Sequence, residues 1–196
     1  MHLVFDIFQG IGIAAAVGIR PFLPTLAVGG LAAGDAQISF KHTDFAFLQS
    51  PGFLLGITVG AILLALAERR MAPERLDNGP VALVVAAISF ALGALLFAGA
   101  LSQDHYAAWP GVIAGIACAF VGIVATRPLF ARVRARLDAA AASAVPMYAE
   151  GSALLLAILS VLLPPVGLLG LLGLLWLILA DRRREGQKYA GLRILR

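Results

Sequence analysis

The chain has 196 residues, of which 61% are hydrophobic and 13% are charged, and its formal net charge is +4. Its mean hydropathy of +0.93 excludes an ordinary soluble domain, because one core of this size cannot bury so much apolar surface. A nucleic-acid partner is not expected, because the basic residues cluster beside apolar runs, as the positive-inside rule describes for membrane proteins. The composition therefore predicts an integral membrane protein with membrane lipids around it.

Consecutive apolar runs of about 17 to 23 residues are each long enough to cross a hydrocarbon layer of roughly 30 Å. The first covers residues 3–19 and is followed by a shorter apolar run over residues 22–34. Further spans are predicted over residues 51–67, 79–101, 110–126, 146–163 and 166–180. The pattern predicts an all-α, polytopic transmembrane helical bundle of about six spans, in one domain over residues 1–180.

Two arginine-proline steps, Arg20-Pro21 and Arg127-Pro128, interrupt or end apolar runs. An arginine in hydrocarbon costs roughly 2.5 to 3.5 kcal/mol on insertion scales. Proline removes a backbone donor and kinks or ends a helix. The two steps therefore predict broken or re-entrant helices, with the breaks near the membrane midplane.

The two halves of the chain, residues 1–101 and 109–180, show the same order of features. Each has a span, an Arg-Pro step, a short helical segment, a proline-led span and a final span. If residues 3–19 cross once from the cytoplasm, each half holds three crossings and the halves are inverted repeats, as in many transporters. The alternative is a hairpin at Arg20, with an external N-terminus and parallel halves.

Basic residues concentrate beside the predicted spans, at residues 69–75, 127–136 and 182–196, whereas the loops at 35–50 and 102–108 share one lysine. The positive-inside rule places the three basic clusters in the cytoplasm. We therefore expect a multi-pass protein of the bacterial inner (cytoplasmic) membrane, with residues 73–78 as a short charged loop and residues 181–196 as a basic cytoplasmic tail.

Residues 18–24, which read GIRPFLP, resemble the signature of an uncharacterised bacterial membrane family, the domain of unknown function numbered 4126. Arg127 with the two residues before it, Glu150, and the ending at Pro164-Pro165 are similar to the second half of that family. Residues 143–148 depart from the small-residue, Asn-Pro-type approach that the family favours before the glutamate. The resemblance covers nearly the whole chain and implies a polytopic membrane fold, but it implies no activity.

The candidate substrate-binding residues are Arg20, Pro21, Arg127, Pro128 and Glu150. Each guanidinium offers a rigid donor fork to an anionic solute or a lipid phosphate. Glu150 is a candidate proton-coupling carboxylate or the partner of an arginine. The structural alternatives are arginines that extend to the membrane surface and a glutamate that favours a helix start.

Two further acids lie near the ends of predicted spans. Asp6 has the same two interpretations as Glu150 and is the weaker candidate, because it is close to the N-terminus. Glu68 precedes two arginines and is interpreted as a solvated charge at the membrane boundary.

Signals for an enzyme are missing. The three histidines, His2, His42 and His105, are scattered without the spacing of metal ligands, and no P-loop is present. We therefore expect no enzymatic activity and no cofactor.

The leading hypothesis is a small membrane transporter or channel-like protein for an anionic solute or a lipid headgroup. The small size of the protomer predicts a homodimer, and Gly56 and Gly60 form a GxxxG motif that suits close helix approach. The alternative hypothesis is a non-transporting scaffold or partner-binding subunit, whose basic tail binds anionic lipid or a cytosolic protein.

Overall fold

The computed structural model describes residues 2–70, 79–142 and 144–190, and these residues form helices without a strand. The helices are α1 (His2–Ile19), α2 (Phe22–Ala33), α3 (Pro51–Arg70), α4 (Pro80–Ser102), α5 (Trp109–Arg136), α6 (Ala139–Ala142), α7 (Val145–Leu162) and α8 (Pro164–Ala190), with a 3-10 turn over Ala46–Gln49. The all-helical prediction is confirmed.

Five of the described helices, namely α3, α4, α5, α7 and α8, are long and apolar enough to cross a membrane, and α1 and α2 are shorter apolar helices. Each of the five has a proline within its first residues, where the missing N–H has no intrahelical partner to lose. The chain is a multi-pass helical membrane protein.

Helix α1 lies at the centre of the bundle, where it packs against α4, α5, α7 and α8. The side chains of residues 13–17 are completely buried. Small residues make this possible, because Gly12 lies against Gly167 of α8 and Gly18 lies against Ala119 of α5. Membrane helices without bulky side chains at their interface can bring their backbones into contact.

The contacts of α1 fix the direction of the other helices. Near the start of α1, Asp6 accepts a hydrogen bond from Gln103, which follows the end of α4. At the other end, Arg20 faces Glu150 near the start of α7. Helices α4 and α7 are therefore antiparallel to α1, whereas α5 and α8 follow them across short connections and run parallel to it.

Helix α2 returns toward the end at which α1 begins. Gly29 lies against Leu54 and Gly60 lies against Phe22, so that α2 and α3 are antiparallel neighbours. We call the end formed by residues 34–50 and 103–108 the loop end. The opposite end, with Arg69 and Arg70 of α3, the arginines of residues 127–136 and Arg182 of α8, is the basic end.

These directions agree with the predicted inverted repeat only in part. Helices α1 and α5, the first spans of the two halves, both run from the loop end to the basic end, whereas inverted halves require opposite directions. The start of α1 lies at the loop end, so α1 and α2 form the alternative hairpin around Arg20. The two halves are not parallel, however, because α3 and α7 run in opposite directions, and so do α4 and α8. Among the described residues of the second half, no helix corresponds to α2, because residues 129–136 continue α5.

The second Arg-Pro step does not break its helix, which corrects the prediction at Pro128. Helix α5 continues through Pro128 to Arg136. A single proline removes one backbone hydrogen bond, and a helix packed among neighbours tolerates that loss.

Two further predictions concern the segments beside the membrane. Residues 181–190 of the predicted tail are helical, and the predicted loop at 73–78 lies outside the described residues.

The loop over residues 34–50 packs as a cap on the loop end, with Ile38, Phe40 and Leu48 buried. On its outer surface, the Lys41 ammonium donates to the Asp35 carboxylate. This hydrogen bond, with a second from Ser39, holds the pKa of Asp35 below its usual value.

The hairpin gives a testable topology. In a Cys118→Ser background, a single cysteine placed at His2 should react with a membrane-impermeant maleimide from the same side as one placed at Asp44 in the loop end. A cysteine at Arg183, near the basic end, should react from the opposite side. Labelling of the His2 position together with the Arg183 position would contradict the observed direction of α1.

Candidate functional site

The first Arg-Pro step forms a true break, because α1 ends at Ile19 and α2 begins at Phe22. The backbone N–H of Arg20 still donates to the Ala16 carbonyl, at 3.1 Å. Beyond the break, the Thr25 hydroxyl donates to the carbonyl of Pro21 at 2.6 Å. The N–H of Arg20 and the carbonyl of Pro21 therefore both have hydrogen-bond partners at the step.

The side chain of Arg20 lies between two carboxylates from different helices. Its guanidinium donates to Glu68 of α3, and its Nε lies 3.9 Å from Oε1 of Glu150 of α7. The exposed fractions of these side chains are 17% for Arg20, 21% for Glu68 and 22% for Glu150. We call these three residues the Arg20 cluster.

The second carboxylate oxygen of Glu150, Oε2, is buried and has no hydrogen-bond partner among the described residues. One guanidinium and two carboxylates leave the Arg20 cluster with one formal negative charge in excess. A buried polar oxygen without a partner is uncommon in native structures and calls for an explanation. The cluster can therefore accept a proton or another cation.

The Arg20 cluster lies close to the basic end, which corrects the predicted position at the membrane midplane. Helix α1 has 18 residues and is about 27 Å long, so that Arg20 follows almost a full crossing of the hydrocarbon layer. Glu68 is likewise in the last turn of α3. The side chains of Arg20, Glu68 and Glu150 are partly buried by the neighbouring helices near the basic end, at one edge of the membrane.

The second Arg-Pro step does not join this cluster. Nη2 of Arg127 donates to the carbonyl of Ala82 in α4 at 3.1 Å, and both Arg127 and Pro128 are exposed. Of the five predicted site residues, the structure thus brings together Arg20, Pro21 and Glu150 and separates the other two.

Glu68 is the member of the cluster that the sequence does not identify, because its position before two arginines is typical of a solvated charge at the membrane boundary. The antiparallel packing of α2 and α3 brings the end of α3 to the start of α2, where Arg20 lies. The only local signal is that Glu68 directly follows the predicted span over residues 51–67.

A second polar cluster lies at the opposite end of α1. The side-chain amide of Gln103 donates to Oδ1 of Asp6 at 3.0 Å and to Oε1 of Gln9 at 3.2 Å. The amide of Gln9 in turn donates to the carbonyls of Gln37 and Val161, at 3.3 and 3.2 Å. Asp6 and Gln9 are 7% and 3% exposed, so that polar groups from four segments meet in a buried network.

A cavity of about 340 Å³ opens beside this network at the loop end, lined by Phe5, Asp6, Gln9, Gln37, Val161 and Pro164. Arg20 is not among its lining residues, and the buried residues 13–17 of α1 separate the cavity from the Arg20 cluster. Among the described residues, no group of three or more His, Cys, Asp or Glu side chains could hold a metal ion.

Comparison with known proteins gives a match to a family. No curated protein and no solved structure matches the chain. The sequence profile described as "Domain of unknown function (DUF4126)" matches residues 7–184, a range that includes the Arg20 cluster and most of the second polar network. The chain therefore belongs to the family of the domain of unknown function DUF4126.

Proposed function

We propose that the protein is a small membrane transporter in which the Arg20 cluster is the ion-coupling site. One observation carries the proposal: a guanidinium at a helix break lies between carboxylates from two other helices, and one oxygen of Glu150 is buried without a hydrogen bond among the described residues. Ionisable residues inside helical membrane proteins commonly belong to ion or proton pathways, and broken helices commonly form the ion sites of transporters.

The charge of the cluster favours a cation as the coupling ion. The donor fork of Arg20 already faces Glu68 and Glu150, so an anionic solute or lipid headgroup would have to displace a carboxylate. A proton or another small cation would instead balance the excess negative charge. We therefore propose cation coupling at this site in place of the anionic substrate that the arginines suggest when considered alone.

The position of the cluster suggests how an ion could change the conformation. Arg20 connects the break to α3 through Glu68 and to α7 through Glu150. A cation on Glu150 would weaken its attraction to the guanidinium, so that α7 could move relative to the hairpin of α1 and α2. An ion that binds one of two conformations more tightly shifts the equilibrium toward that conformation.

Proton flux into proteoliposomes tests the proposal. With a potassium diffusion potential across the membrane and a pH-sensitive dye inside, the wild-type protein should acidify the lumen faster than protein-free liposomes. Glu150→Gln preserves the shape of the side chain and removes its charge, and it should reduce the protein-dependent rate by about tenfold or more.

Asp138→Asn is the matched control, because Asp138 is exposed at the basic end and lies outside the Arg20 cluster. This variant should keep the wild-type rate. A wild-type rate equal to that of protein-free liposomes, or an undiminished rate in folded Glu150→Gln protein, would contradict proton coupling at the cluster.

A second candidate function is a non-transporting scaffold, favoured by the complete burial of residues 13–17 between the two polar clusters. In that case the ion pairs of Arg20 would serve only to hold α3 and α7.

We further propose that the basic end faces the cytoplasm of a bacterial cell, because its arginines satisfy the positive-inside rule. The N-terminus would then be external. The proposed dimer is not built on Gly60, because Phe22 covers that glycine within one chain.

A further inference from the structure

We propose that the cavity at the loop end is a binding site for a small organic ammonium ion. This inference deepens the proposed function, since it names a substrate class for the transporter. It is tested by binding to the solubilised protein, so its failure can be distinguished from a failure of ion coupling at the Arg20 cluster.

The hydrogen-bond directions around the cavity favour a ligand that donates. The amide donors of Gln9 point to the carbonyls of Gln37 and Val161, and the amide donor of Gln103 points to Asp6 and Gln9. The acceptors in this network are a carboxylate and backbone carbonyls, whereas the amide N–H groups of Gln9 and Gln103 are directed at the protein. An ammonium group carries donors only and matches this set.

Burial strengthens the attraction of the carboxylate for a cation. Asp6 is 7% exposed and Gln9 is 3% exposed, and both lie beside the packed core of α1. Coulomb attraction at such a site is less screened than in bulk water. An anionic ligand would instead meet the carboxylate of Asp6 and is not favoured.

The remaining lining residues favour an organic cation over a bare metal ion. Phe5 and Pro164 add apolar surface to the cavity, and an aromatic ring can attract a cation over its face. No metal-binding group of three ligands occurs among the described residues. The volume of about 340 Å³ lies at the lower end of the range of small-molecule sites, which suits an amine with a short alkyl group.

The loop that borders the cavity holds an uncommon backbone conformation. Gln37 and Asp35 have φ values of 59° and 54°, in the left-handed region that residues with a side chain seldom adopt. The hydrogen bond from Gln9 to the Gln37 carbonyl contributes to holding this arrangement. Strained loop residues concentrate at ligand sites, where the surrounding contacts maintain them.

Protection of a cysteine measures binding with a defined probe. In a Cys118→Ser background, Gln37→Cys places an exposed thiol on the cavity wall, and n-butylammonium should slow its alkylation by a maleimide. n-Butanol and butyrate have similar size and lack the positive charge, so that neither should protect at the same concentration. Equal protection by butanol, or no protection by n-butylammonium, would overturn the proposal.

Asp6→Asn tests the role of the carboxylate, because asparagine keeps an acceptor for Gln103 and removes the charge. It should raise the dissociation constant of n-butylammonium about tenfold or more, whereas Asp44→Asn, an exposed change in the same loop end, should leave the constant unchanged. Unchanged affinity in Asp6→Asn would overturn the assignment. If that variant does not fold, Phe5→Leu provides the second test. Loss of the aromatic ring should weaken the binding of n-butylammonium, and an unchanged affinity would overturn the proposal.

Discussion

Gly18→Ala is expected to destabilise the protein strongly. On the side of α1 that faces α5, no other addition of a single methyl group should have a larger effect. A Cβ atom at this position would lie 2.2 Å from the carbonyl oxygen and 2.7 Å from Cα of Ala119. Both atoms belong to the backbone of α5, so no side-chain rotation can relieve the overlap. The two helices would have to move apart.

The expected loss is about 3 kcal/mol or more, at the upper end of the range for overpacked cores. In an open helical position the same change would be favourable by about 1 kcal/mol, because alanine is a better helix former than glycine. Gly122 makes the reciprocal close approach to Ala15 from the α5 side. The overlap therefore affects a contact to which each helix contributes a glycine.

Gly56→Ala is the matched control, because a Cβ atom there would have no heavy atom within 4 Å. Melting of each purified variant in detergent, followed by fluorescence-detected size exclusion, gives the comparison. Gly18→Ala should lower the melting temperature strongly and Gly56→Ala should leave it equal or slightly higher. Equal melting of the two variants would contradict the close packing of α1 on α5.

The helix boundaries could be predicted from the sequence because their signals are local. The span expected over residues 51–67 corresponds to α3, and the one over 79–101 corresponds to α4. Proline at a helix start and a continuous apolar run are both visible without any knowledge of tertiary contacts. The direction of α1 had no such signal, since an apolar run reads the same from either side of a membrane.

The two Arg-Pro steps show why a motif alone did not predict a break. Pro21 is followed by Pro24 in the next turn, so two backbone donors that would continue the helix from α1 are missing. Pro128 is a single proline, followed by residues that continue α5 to Arg136. The Arg-Pro dipeptide by itself therefore does not determine whether a helix breaks.

The candidate site could be predicted only in part, because its partners are distant in sequence. Arg20 and Glu150 were identifiable as ionisable residues in apolar runs. Glu68, 48 residues from Arg20, became a partner only through the antiparallel packing of α2 and α3. Gln103 and Gln37 lie in the predicted loops at 102–108 and 35–50, and their contacts with α1 likewise depend on the fold.

Replacement of Arg20 by glutamine is expected to lower the free energy of unfolding by about 2 kcal/mol. Removing one partner from a fully buried ion pair costs about 3 to 5 kcal/mol. The side chains of the Arg20 cluster retain about a fifth of their exposure, so solvent screening reduces that figure. The variant leaves Glu68 and Glu150 facing each other without the cation between them.

A second substitution separates this electrostatic effect from loss of packing. In the double variant Arg20→Gln with Glu150→Gln, only one carboxylate remains, and more than half of the lost stability should return. Arg136→Gln, at an exposed position of the basic end, should melt like the wild type. The interaction energy from the double-mutant cycle measures the coupling directly, because the two residues share one cluster.

The sign of that interaction energy decides what the cluster is. Recovery on removal of Glu150 would mean that the excess negative charge, and not the alkyl stem of Arg20, determines the stability of the break. A cluster whose stability depends on its net charge also responds to a cation bound beside Glu150. Ion coupling at the cluster requires this response. No recovery in the double variant would assign Arg20 a packing role and would contradict the electrostatic account of the cluster.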